Sequence, residues 1–228
     1  MKVNFKVEND KGDTYEYEVS KFPSGELNVR LKEPSTISTE LLVIAIRSSA
    51  ISDNIMELCL LVNALHNVRE LSLSLAIPYV PYSRQDRVCN EGEALSIKVF
   101  ADIINSLNFA NVITIDNHSD VATALLNNCY NAAVSGLLSF TNANSYDFLL
   151  SPDAGSIKKV SECSKVLQIP MLRADKMRDT MTGDITGTEV YTSAEQIKNK
   201  SIPIVDDIAA GGMSFYYIAT LKGNRTYM

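Results

Sequence analysis

The sequence predicts an α/β protein with two domains, each built on a mainly parallel sheet flanked by helices. Apolar, β-rich runs alternate along the chain with stretches whose apolar residues recur at helical spacing, a pattern typical of βαβ units. Several of the runs end in polar clusters, which is where the strands of open α/β sheets place ligand-binding residues. The 228 residues suffice for one large or two small domains with a substantial core.

The first half begins with a predicted β-hairpin, formed by residues 3–8 and 14–19 and joined by the turn-forming cluster 9–12. A loop at 22–26 and a short strand at 27–31 follow. Further strands are predicted at 41–46, 71–77 and 112–115. Between them lie two amphipathic helices, whose apolar positions are spaced three, four and three residues apart: Ile55, Leu58, Val62 and Leu65 in the first, and Ile97, Phe100, Ile104 and Leu107 in the second.

The second half repeats this plan after a segment rich in Asn, Ala and Ser at 127–144. We interpret that segment as a domain boundary with a short helix or two, so the predicted domains are 1–126 and 127–228. Residues 175–183 are polar, charged and glycine-ended, which predicts a mobile loop. The other predicted elements are strands at 148–151, 170–173, 185–191 and 202–205 and helices from about 156 to 167 and through Leu221.

Composition limits the classes of function. The net charge of −6 and the pI near 5.0 disfavour a nucleic-acid-binding surface. The four cysteines are widely spaced without a C-x-x-C pair, so neither a zinc site nor a disulfide framework is predicted. No signal peptide, membrane-spanning run or lipidation motif is found, and we expect a cytoplasmic protein without a membrane partner.

One polar cluster follows the strand at 71–77. The strand breaks at Pro78 and opens into Arg84-Gln85-Asp86-Arg87. A guanidinium group can donate two hydrogen bonds to anionic oxygens, and the carboxylate between the two arginines can orient those oxygens or a metal. The segment therefore suits a polyphosphate. The alternative interpretation is a solvated loop with a local salt bridge.

A second cluster follows the strand at 202–205, where Asp206 and Asp207 precede a turn of small residues and a helix. Backbone N–H groups of such a turn and the helix dipole form a cradle for a terminal phosphate, and glycine lets the backbone approach it. The paired acids can accept hydrogen bonds from the hydroxyls of a sugar. Alternatively, the two acids only cap the helix.

These clusters resemble motifs of the ribose-phosphate pyrophosphokinase (phosphoribosyl-pyrophosphate synthetase) family, which has the type I phosphoribosyltransferase fold. The resemblance covers essentially the whole chain. The segment with tyrosines before Arg-Gln-Asp-Arg is particular to this family. The matching segments are Phe22-x-x-Gly-Glu26, Asn54-Ile-Met-Glu-Leu58, Pro78-Tyr-x-x-Tyr-x-Arg-Gln-Asp-Arg87, Ser151-Pro-Asp-Ala-Gly155 and the strand and loop around Asp206-Asp207.

The resemblance implies two pseudo-symmetric domains and Mg²⁺-dependent transfer of the β,γ-diphosphoryl group of ATP to the 1-hydroxyl of ribose 5-phosphate. It implies a homo-oligomer, because the loop at 22–26 matches one that reaches the adenine across a subunit interface. The implied residues are Phe22, Ser24, Glu26, Arg84, Gln85 and Asp86 for ATP; His118 and Asp153 for the metal; Pro152, Asp153, Ala154 and Gly155 for pyrophosphate; Asp206, Asp207, Ala210, Gly211, Gly212, Met213 and Ser214 for ribose phosphate; and Lys176 and Arg178 for catalysis.

Two of these assignments have simpler alternatives. His118 can be a helix-capping or core histidine. Lys176 and Arg178 can belong to a solvated loop, although the low apolar content of residues 175–183 shows that these cations do not serve packing. On the functional interpretation, they neutralise the charge that builds on the transferring diphosphoryl group.

The chain departs from the family pattern at three places. Ala210 and Met213 replace an acid and a hydroxyl, which suggests a 5-substituted ribose such as ADP-ribose as the acceptor; Ser24 is a milder change in the adenine loop. The chain also stops earlier than other members, so it is either minimal or truncated, and truncation would leave a sheet edge open. A nucleobase phosphoribosyltransferase would not need the Arg-Gln-Asp-Arg segment. A catalytically inactive regulatory relative remains an alternative.

Overall fold

A computed structural model describes residues 2–45, 52–139, 141, 145–178, 185–208, 215–216, 218 and 225–227. The chain divides into two compact units, residues 1–132 and 133–228. The architecture is α/β, with a mainly parallel central sheet flanked by helices, as the sequence predicts. Among the described residues, no helix has the length and apolar character needed to cross a membrane.

The first unit is built on a six-stranded sheet in the order β2-β1-β5-β6-β7-β8. Strands β5 to β8 run parallel, and β1 pairs antiparallel with both β5 and β2. Val43, Leu75 and Val112 lie side by side on three neighbouring strands, and all are buried. The strands are β1 (Phe5–Glu8), β2 (Thr14–Tyr15), β3 (Tyr17–Lys21), β4 (Leu27–Leu31), β5 (Glu40–Ala45), β6 (Ser72–Ala76), β7 (Asn111–Ile115) and β8 (Cys129–Ala132).

The N-terminal hairpin is confirmed at its closed end, where β1 pairs with β2, but the second predicted strand is interrupted. After Glu16 the chain leaves the central sheet, and β3 pairs antiparallel with β4 instead. The reason is burial: Tyr17 and Val19 contribute to the apolar core from this second hairpin, together with Leu31 of β4. The single predicted strand is therefore two strands in two different sheets.

The helices of the first unit are α1 (Ser52–His66), α2 (Ser96–Ser106) and α3 (Asp120–Leu125). The apolar stripes predicted for α1 and α2 are confirmed, since Leu58, Val62 and Leu65 of α1 and the matching positions of α2 are buried in one core. Neither α3 nor β8 was predicted. Both are short, and β8 is partly exposed and lacks the alternation of buried and exposed residues typical of a strand.

In the second unit, β9 (Leu149–Ser151) pairs in parallel with β10 (Met171–Arg178), which pairs antiparallel with β11 (Ile185–Val190). A parallel bridge from Leu150 to Ile204 brings the chain after β12 (Ser201–Pro203) against the other side of β9, and β12 pairs with β13 (Arg225–Tyr227). Leu149 and Leu150 lie in separate apolar clusters, so both faces of β9 are covered. The helices are α4 (Val134–Ser139), α5 (Ile157–Leu167) and α6 (Ala194–Ile197).

The prediction of a loop from residue 175 is wrong for its first four residues. Residues 175–178 continue β10, with Lys176 opposite Thr188 and Arg178 opposite Ile185 on β11. A ladder of backbone hydrogen bonds does not require apolar side chains, so the polar sequence did not indicate it. Residues 179–184 of the predicted loop lie outside the described residues.

Candidate functional site

In the first unit, the predicted site residues follow neighbouring parallel strands. The segment 77–87 follows β6, and residues 116–120 follow β7. The two strands are paired in parallel, and the N–H of Ile77 continues the ladder by donating to the carbonyl of Ile113 at 2.8 Å. The polar segment that carries Arg84 and the one that carries His118 therefore leave the sheet at the same edge, as expected for a ligand site of an α/β fold.

The segment with Arg84, Gln85 and Asp86 is a fixed turn. Tyr82 has a left-handed backbone (φ 64°), and its carbonyl accepts a hydrogen bond from the N–H of Gln85 at 2.9 Å. Ser83 is buried beside it, whereas Arg84 and Gln85 are exposed. The turn therefore holds its backbone against the core and presents polar side chains to solvent.

Helix α2 fixes the side chain of Gln85. The hydroxyl of Ser96, the first residue of the helix, donates to Gln85 Oε1 at 2.5 Å, and the N–H of Ile97 donates to the Gln85 carbonyl at 3.4 Å. Since Oε1 accepts this bond, the amide NH₂ of Gln85 is left to donate elsewhere. Sequence reasoning missed Ser96, and no motif pointed to it.

The loop at 22–26 is the tight turn of the β3–β4 hairpin. The N–H of Phe22 donates to Glu26 O at 2.9 Å, and Gly25 has a positive φ of 96°, which favours glycine. Ser24 donates to Glu26 Oε2 at 2.7 Å. The ring of Phe22 is 53% exposed, so the structure places an aromatic side chain in solvent at the tip of the hairpin.

Around His118, the turn after β7 is held by β8. Asn131 of β8 accepts hydrogen bonds through Oδ1 from the hydroxyl of Thr114 (3.2 Å) and from the N–H of Asn117 (3.1 Å). His118 is exposed. In the described part of the chain, Asn117 Oδ1 and Ser119 Oγ are buried without a hydrogen-bond partner, which marks a place where water or a hydrated ion would supply the missing bond.

In the second unit, β9 delivers the loop that holds Pro152, Asp153, Ala154 and Gly155. Asp153 Oδ1 accepts from the N–H of Ser156 at 3.2 Å, and the hydroxyls of the buried residues Ser151 and Ser156 lie 2.7 Å apart. A Cβ on Gly155 would meet Asp153 Oδ1 at 3.3 Å, so glycine fits this turn closely. The loop opens directly into α5, whose first-turn N–H groups can receive an anion.

Asp206 and Asp207 follow β12 beside this loop's strand. Burial, and next the hydrogen bond and charge of Asp207, raise the pKa of Asp206 to about 6, with a smaller contribution from the charge of Asp153. Asp207 forms an ion pair with Lys159 of α5, with 3.2 Å between Nζ and Oδ1. Asp206 and Asp207 therefore differ in electrostatic environment. The rest of the predicted ribose-phosphate segment, Ala210, Gly211, Gly212, Met213 and Ser214, lies outside the described residues.

Lys176 and Arg178 have their backbone in β10, and their side chains are outside the described part of the structure. The residue before them, Asp175, is held by Arg173 through two hydrogen bonds of 3.1 and 2.8 Å and by the hydroxyl of Tyr191 at 3.1 Å. The Arg173 guanidinium, more than any other group, lowers the pKa of Asp175. These contacts fix the strand at the residue directly before Lys176.

The described residues contain no cluster of three His, Cys, Asp or Glu side chains that could hold a metal by themselves. This arrangement still fits Mg²⁺, which usually keeps several waters and is bound through one or two protein groups together with substrate phosphates. A cavity of about 500 Å³ in the first unit contains none of the predicted site residues; residues 9–11, 35–40 and Arg69 line it.

Comparison with known proteins connects these features to one family. Residues 8–107 match the family model of the N-terminal domain of ribose phosphate pyrophosphokinase. The chain is 29% identical over 198 residues to the ribose-phosphate pyrophosphokinase of Campylobacter jejuni, which covers 83% of this chain and 61% of the relative. It is 30% identical over 192 residues to ribose-phosphate pyrophosphokinase 2 of Archaeoglobus fulgidus, with 84% of this chain and 65% of the relative covered.

The chain therefore spans less than two thirds of the length of these curated relatives. A crystal structure of phosphoribosylpyrophosphate synthetase from Mycobacterium smegmatis superposes with a TM-score of 0.72 at 19% sequence identity, covering 94% of this chain and 71% of that one. At this identity the structural likeness establishes the fold.

Proposed function

Because the chain is similar to ribose-phosphate pyrophosphokinases over most of its length and to their N-terminal domain over residues 8–107, we propose that it transfers the β,γ-diphosphoryl group of ATP to the 1-hydroxyl of ribose 5-phosphate. One observation carries the proposal: Arg84, Gln85 and Asp86 stand on a fixed turn at the carboxyl edge of β6. Exposed donors on a rigid backbone are what the binding of a polyphosphate requires.

In this proposal the first unit binds ATP. Arg84 and Gln85 donate to phosphate oxygens, and Phe22, Ser24 and Glu26 contact the adenine. The exposed ring of Phe22 supports a role in stacking, because an apolar ring at a hairpin tip contributes nothing to the core of its own chain. His118 of the first unit and Asp153 of the second are each proposed to contact the magnesium–phosphate complex, and Mg²⁺ supplies charge neutralisation when bound.

The second unit is proposed to bind the acceptor and the transferred group. Asp206 and Asp207 accept hydrogen bonds from ribose hydroxyls, the segment with Ala210, Gly211, Gly212, Met213 and Ser214 binds the 5-phosphate, and the loop with Pro152, Asp153, Ala154 and Gly155 binds the diphosphoryl group. The turn of buried serines leads directly into α5, which supports the last assignment because the N-terminus of a helix favours an anion.

The reaction joins the oxygen of the 1-hydroxyl to the β-phosphorus of ATP. The bond from the β-phosphorus to the oxygen that bridges it to the α-phosphorus breaks, the hydroxyl proton leaves, and AMP departs. Negative charge spreads over the transferring group, and Lys176 and Arg178 are proposed to stabilise it. Both follow Asp175 at the end of β10, and Arg173 holds the carboxylate of Asp175, which supports a fixed start for the residues that carry these cations.

We also propose that the protein is a homo-oligomer in which the loop at 22–26 contacts ATP on a neighbouring subunit. The expected cytoplasmic location, without nucleic-acid or membrane partners, is part of the same proposal. Subunit mixing tests the shared site: Phe22→Ala and Arg84→Ala are each expected to be nearly inactive, and mixing them should restore up to about a quarter of the activity by combining intact halves. Mixtures as inactive as either variant would contradict a shared site.

The experiment that tests the reaction is incubation of the protein with ATP, Mg²⁺ and ribose 5-phosphate, or ADP-ribose, followed by ³¹P NMR and AMP release. Acceptor-dependent AMP with a new diphosphate signal is expected, and the faster acceptor identifies the substrate. Arg84→Ala is expected to lower kcat/KM about 100-fold or more, by removing a charge-assisted contact. Arg69→Ala, at an exposed arginine bound to Ser35 O, is the matched control. ATP binding without AMP from either acceptor would favour the regulatory relative.

A further inference from the structure

Lys159 of α5 makes an ion pair at the acid pair that follows β12. Its Nζ lies 3.2 Å from Asp207 Oδ1, and the two side chains are 16% and 12% exposed. Bringing an ammonium and a carboxylate out of water is costly, and the mutual attraction offsets this only with good geometry. Stabilisation of the fold alone therefore does not explain an ion pair in this position.

Lys159 and its neighbour Lys158 lie on different faces of α5. Lys159 lies one residue before Val160 and four before Cys163, both fully buried, and it is itself half-buried, whereas Lys158 is exposed. Residues four apart share one face of a helix, so Lys159 belongs to the inner face of α5. That spacing is the sequence signal that could have distinguished the two lysines.

Asp207 is adjacent to Asp206, whose Oδ1 accepts the N–H of Asp207 at 3.0 Å. Two neighbouring carboxylates repel each other, and Asp153 adds a third negative charge close enough to act on Asp206. A cation fixed on one member relieves this repulsion and holds its oxygens in place. Lys159 also lies one helical turn after the loop 152–155, in the helix that directly follows this loop.

We infer that Lys159 is a positioning residue that holds Asp207, and through it the acid pair, in the geometry that accepts the hydroxyls of a ribose-phosphate acceptor. The inference rests on the proposed function and goes further by naming a residue outside the sequence motifs. It acts on the acceptor, because Asp206 and Asp207 are assigned to the ribose hydroxyls, whereas Arg84, Gln85 and Asp86 are assigned to ATP. Binding of ribose 5-phosphate and binding of ATP should therefore respond differently to changes at this position.

The test measures the Kd of ribose 5-phosphate by calorimetry, with an ATP analogue whose α,β-bridge is a methylene and which cannot donate, and the KM of both substrates in turnover. Lys159→Met is expected to raise the Kd and KM of ribose 5-phosphate about tenfold or more, because it removes the cation that balances the charge of Asp207. The KM of ATP should stay within about twofold, and Lys159→Arg should restore acceptor binding to within about threefold by keeping the charge. Lys158→Met is the matched control and should equal the wild type.

A double-mutant cycle shows whether Lys159 acts through Asp207. With Asp207→Asn already present, Lys159→Met should change the Kd of ribose 5-phosphate less than about twofold, because the charge that it balances is gone. An equal effect in both backgrounds would overturn the inference, as would a Lys159→Met variant that binds the acceptor as the Lys158→Met variant does. If Lys159→Met does not fold, Lys159→Gln replaces it. Its affinity for ribose 5-phosphate is expected to be lower than that of the wild type by about threefold or more. An affinity equal to that of the wild type would again overturn the inference.

The outcome for the wild type separates this inference from the proposed function. A wild-type protein that binds ATP but no ribose 5-phosphate, and releases no AMP, would overturn both. A wild type that binds and turns over ribose 5-phosphate, with acceptor affinity unchanged by Lys159→Met, would overturn the inference alone.

Discussion

Glu57 is a buried carboxyl, 1% exposed, on the inner face of α1. Its two oxygens accept hydrogen bonds from the N–H of Asn4 (2.9 Å), from Asn4 Nδ2 (2.6 Å) and from the hydroxyl of Tyr17 (2.7 Å). Burial, followed by the bond to Glu57, raises the pKa of Tyr17 well above its usual range, so the phenol stays protonated as the donor. Glu57, in the segment 54–58, thus connects α1 to Asn4, directly before β1, and to Tyr17 of β3.

Replacing Glu57 with Ala should lower the free energy of unfolding by about 3 kcal/mol, because the buried hydroxyl of Tyr17 and two partly buried donors of Asn4 lose their acceptor at once. Glu57→Gln keeps one acceptor oxygen and should cost about 1 to 2 kcal/mol. Urea unfolding measures both, with the exposed Glu70→Ala as the control, expected within about 0.5 kcal/mol of wild type. Equal midpoints for Glu57→Ala and the control would show that the network contributes nothing.

Unlike Glu57, Asp206 destabilises the folded protein when it is ionised. Its pKa is raised to about 6, chiefly by burial and then by Asp207, so the folded protein holds this proton more tightly than the unfolded chain. The resulting stabilisation is complete below the ordinary value of 3.8 and is lost as the pH rises through about 6. At neutral pH the ionised carboxylate therefore opposes folding.

The Asp206→Asn variant should be more stable than the wild type at pH 7 by on the order of 1 kcal/mol, once solvent screening of a half-buried group is allowed for. The difference should grow between about pH 4 and 6 and then stay constant. Urea unfolding from pH 4 to 8 measures it, with the exposed Glu162→Gln as control. Acceptor binding should fall in the same variant, so that stability and function change in opposite directions. A stability difference between the variant and the wild type that does not change with pH would contradict the raised pKa of Asp206.

At the scale of elements, helix α2 and the turn at 84–86 act together. Ser96 orients the Gln85 amide from the first turn of the helix, while Ser106 at its last turn donates to the carbonyl of Ile103 at 2.7 Å. Ser96→Ala should weaken ATP binding about three- to tenfold, because the freed amide loses its fixed orientation. Ser106→Ala removes a similar hydroxyl from the same helix and should leave ATP affinity unchanged. Calorimetry with ATP compares them, and equal affinities would show that Gln85 needs no such support.

The elements also show what the sequence could predict. Strands β5, β6, β7 and β9 and helices α1, α2 and α5 were predicted because their apolar residues face a core, and burial is what periodicity reports. The end of β10 and the whole of β8 were not, because backbone pairing with a neighbour forms them and neither has an alternating pattern of apolar residues. The same limit applies to the site: residues at strand ends were predicted, whereas Ser96 and Lys159, which hold them from helices, were not.

At the scale of the molecule, the first unit has its own core, drawn from Phe5 to Cys129, and its own six-stranded sheet. A fragment of residues 1–132 should therefore fold alone and unfold cooperatively. The contact boundary at residue 132 lies six residues beyond the boundary of 126 that the sequence predicts. Those residues include the whole of β8.

Comparing fragments 1–126 and 1–132 tests which boundary the fold requires. Without β8, strand β7 loses its outer partner. The turn with His118 loses the hydrogen bonds that Thr114 and Asn117 donate to Asn131 Oδ1 and the one that the Asp116 N–H donates to Ala132 O. With about 1 kcal/mol for each lost hydrogen bond, the shorter fragment should be less stable by about 3 kcal/mol or more. Urea unfolding measures the difference, and amide exchange should place the largest loss of protection at 111–120. Equal stability would show that the first unit does not need β8, and the domain boundary would then lie where the sequence predicts it.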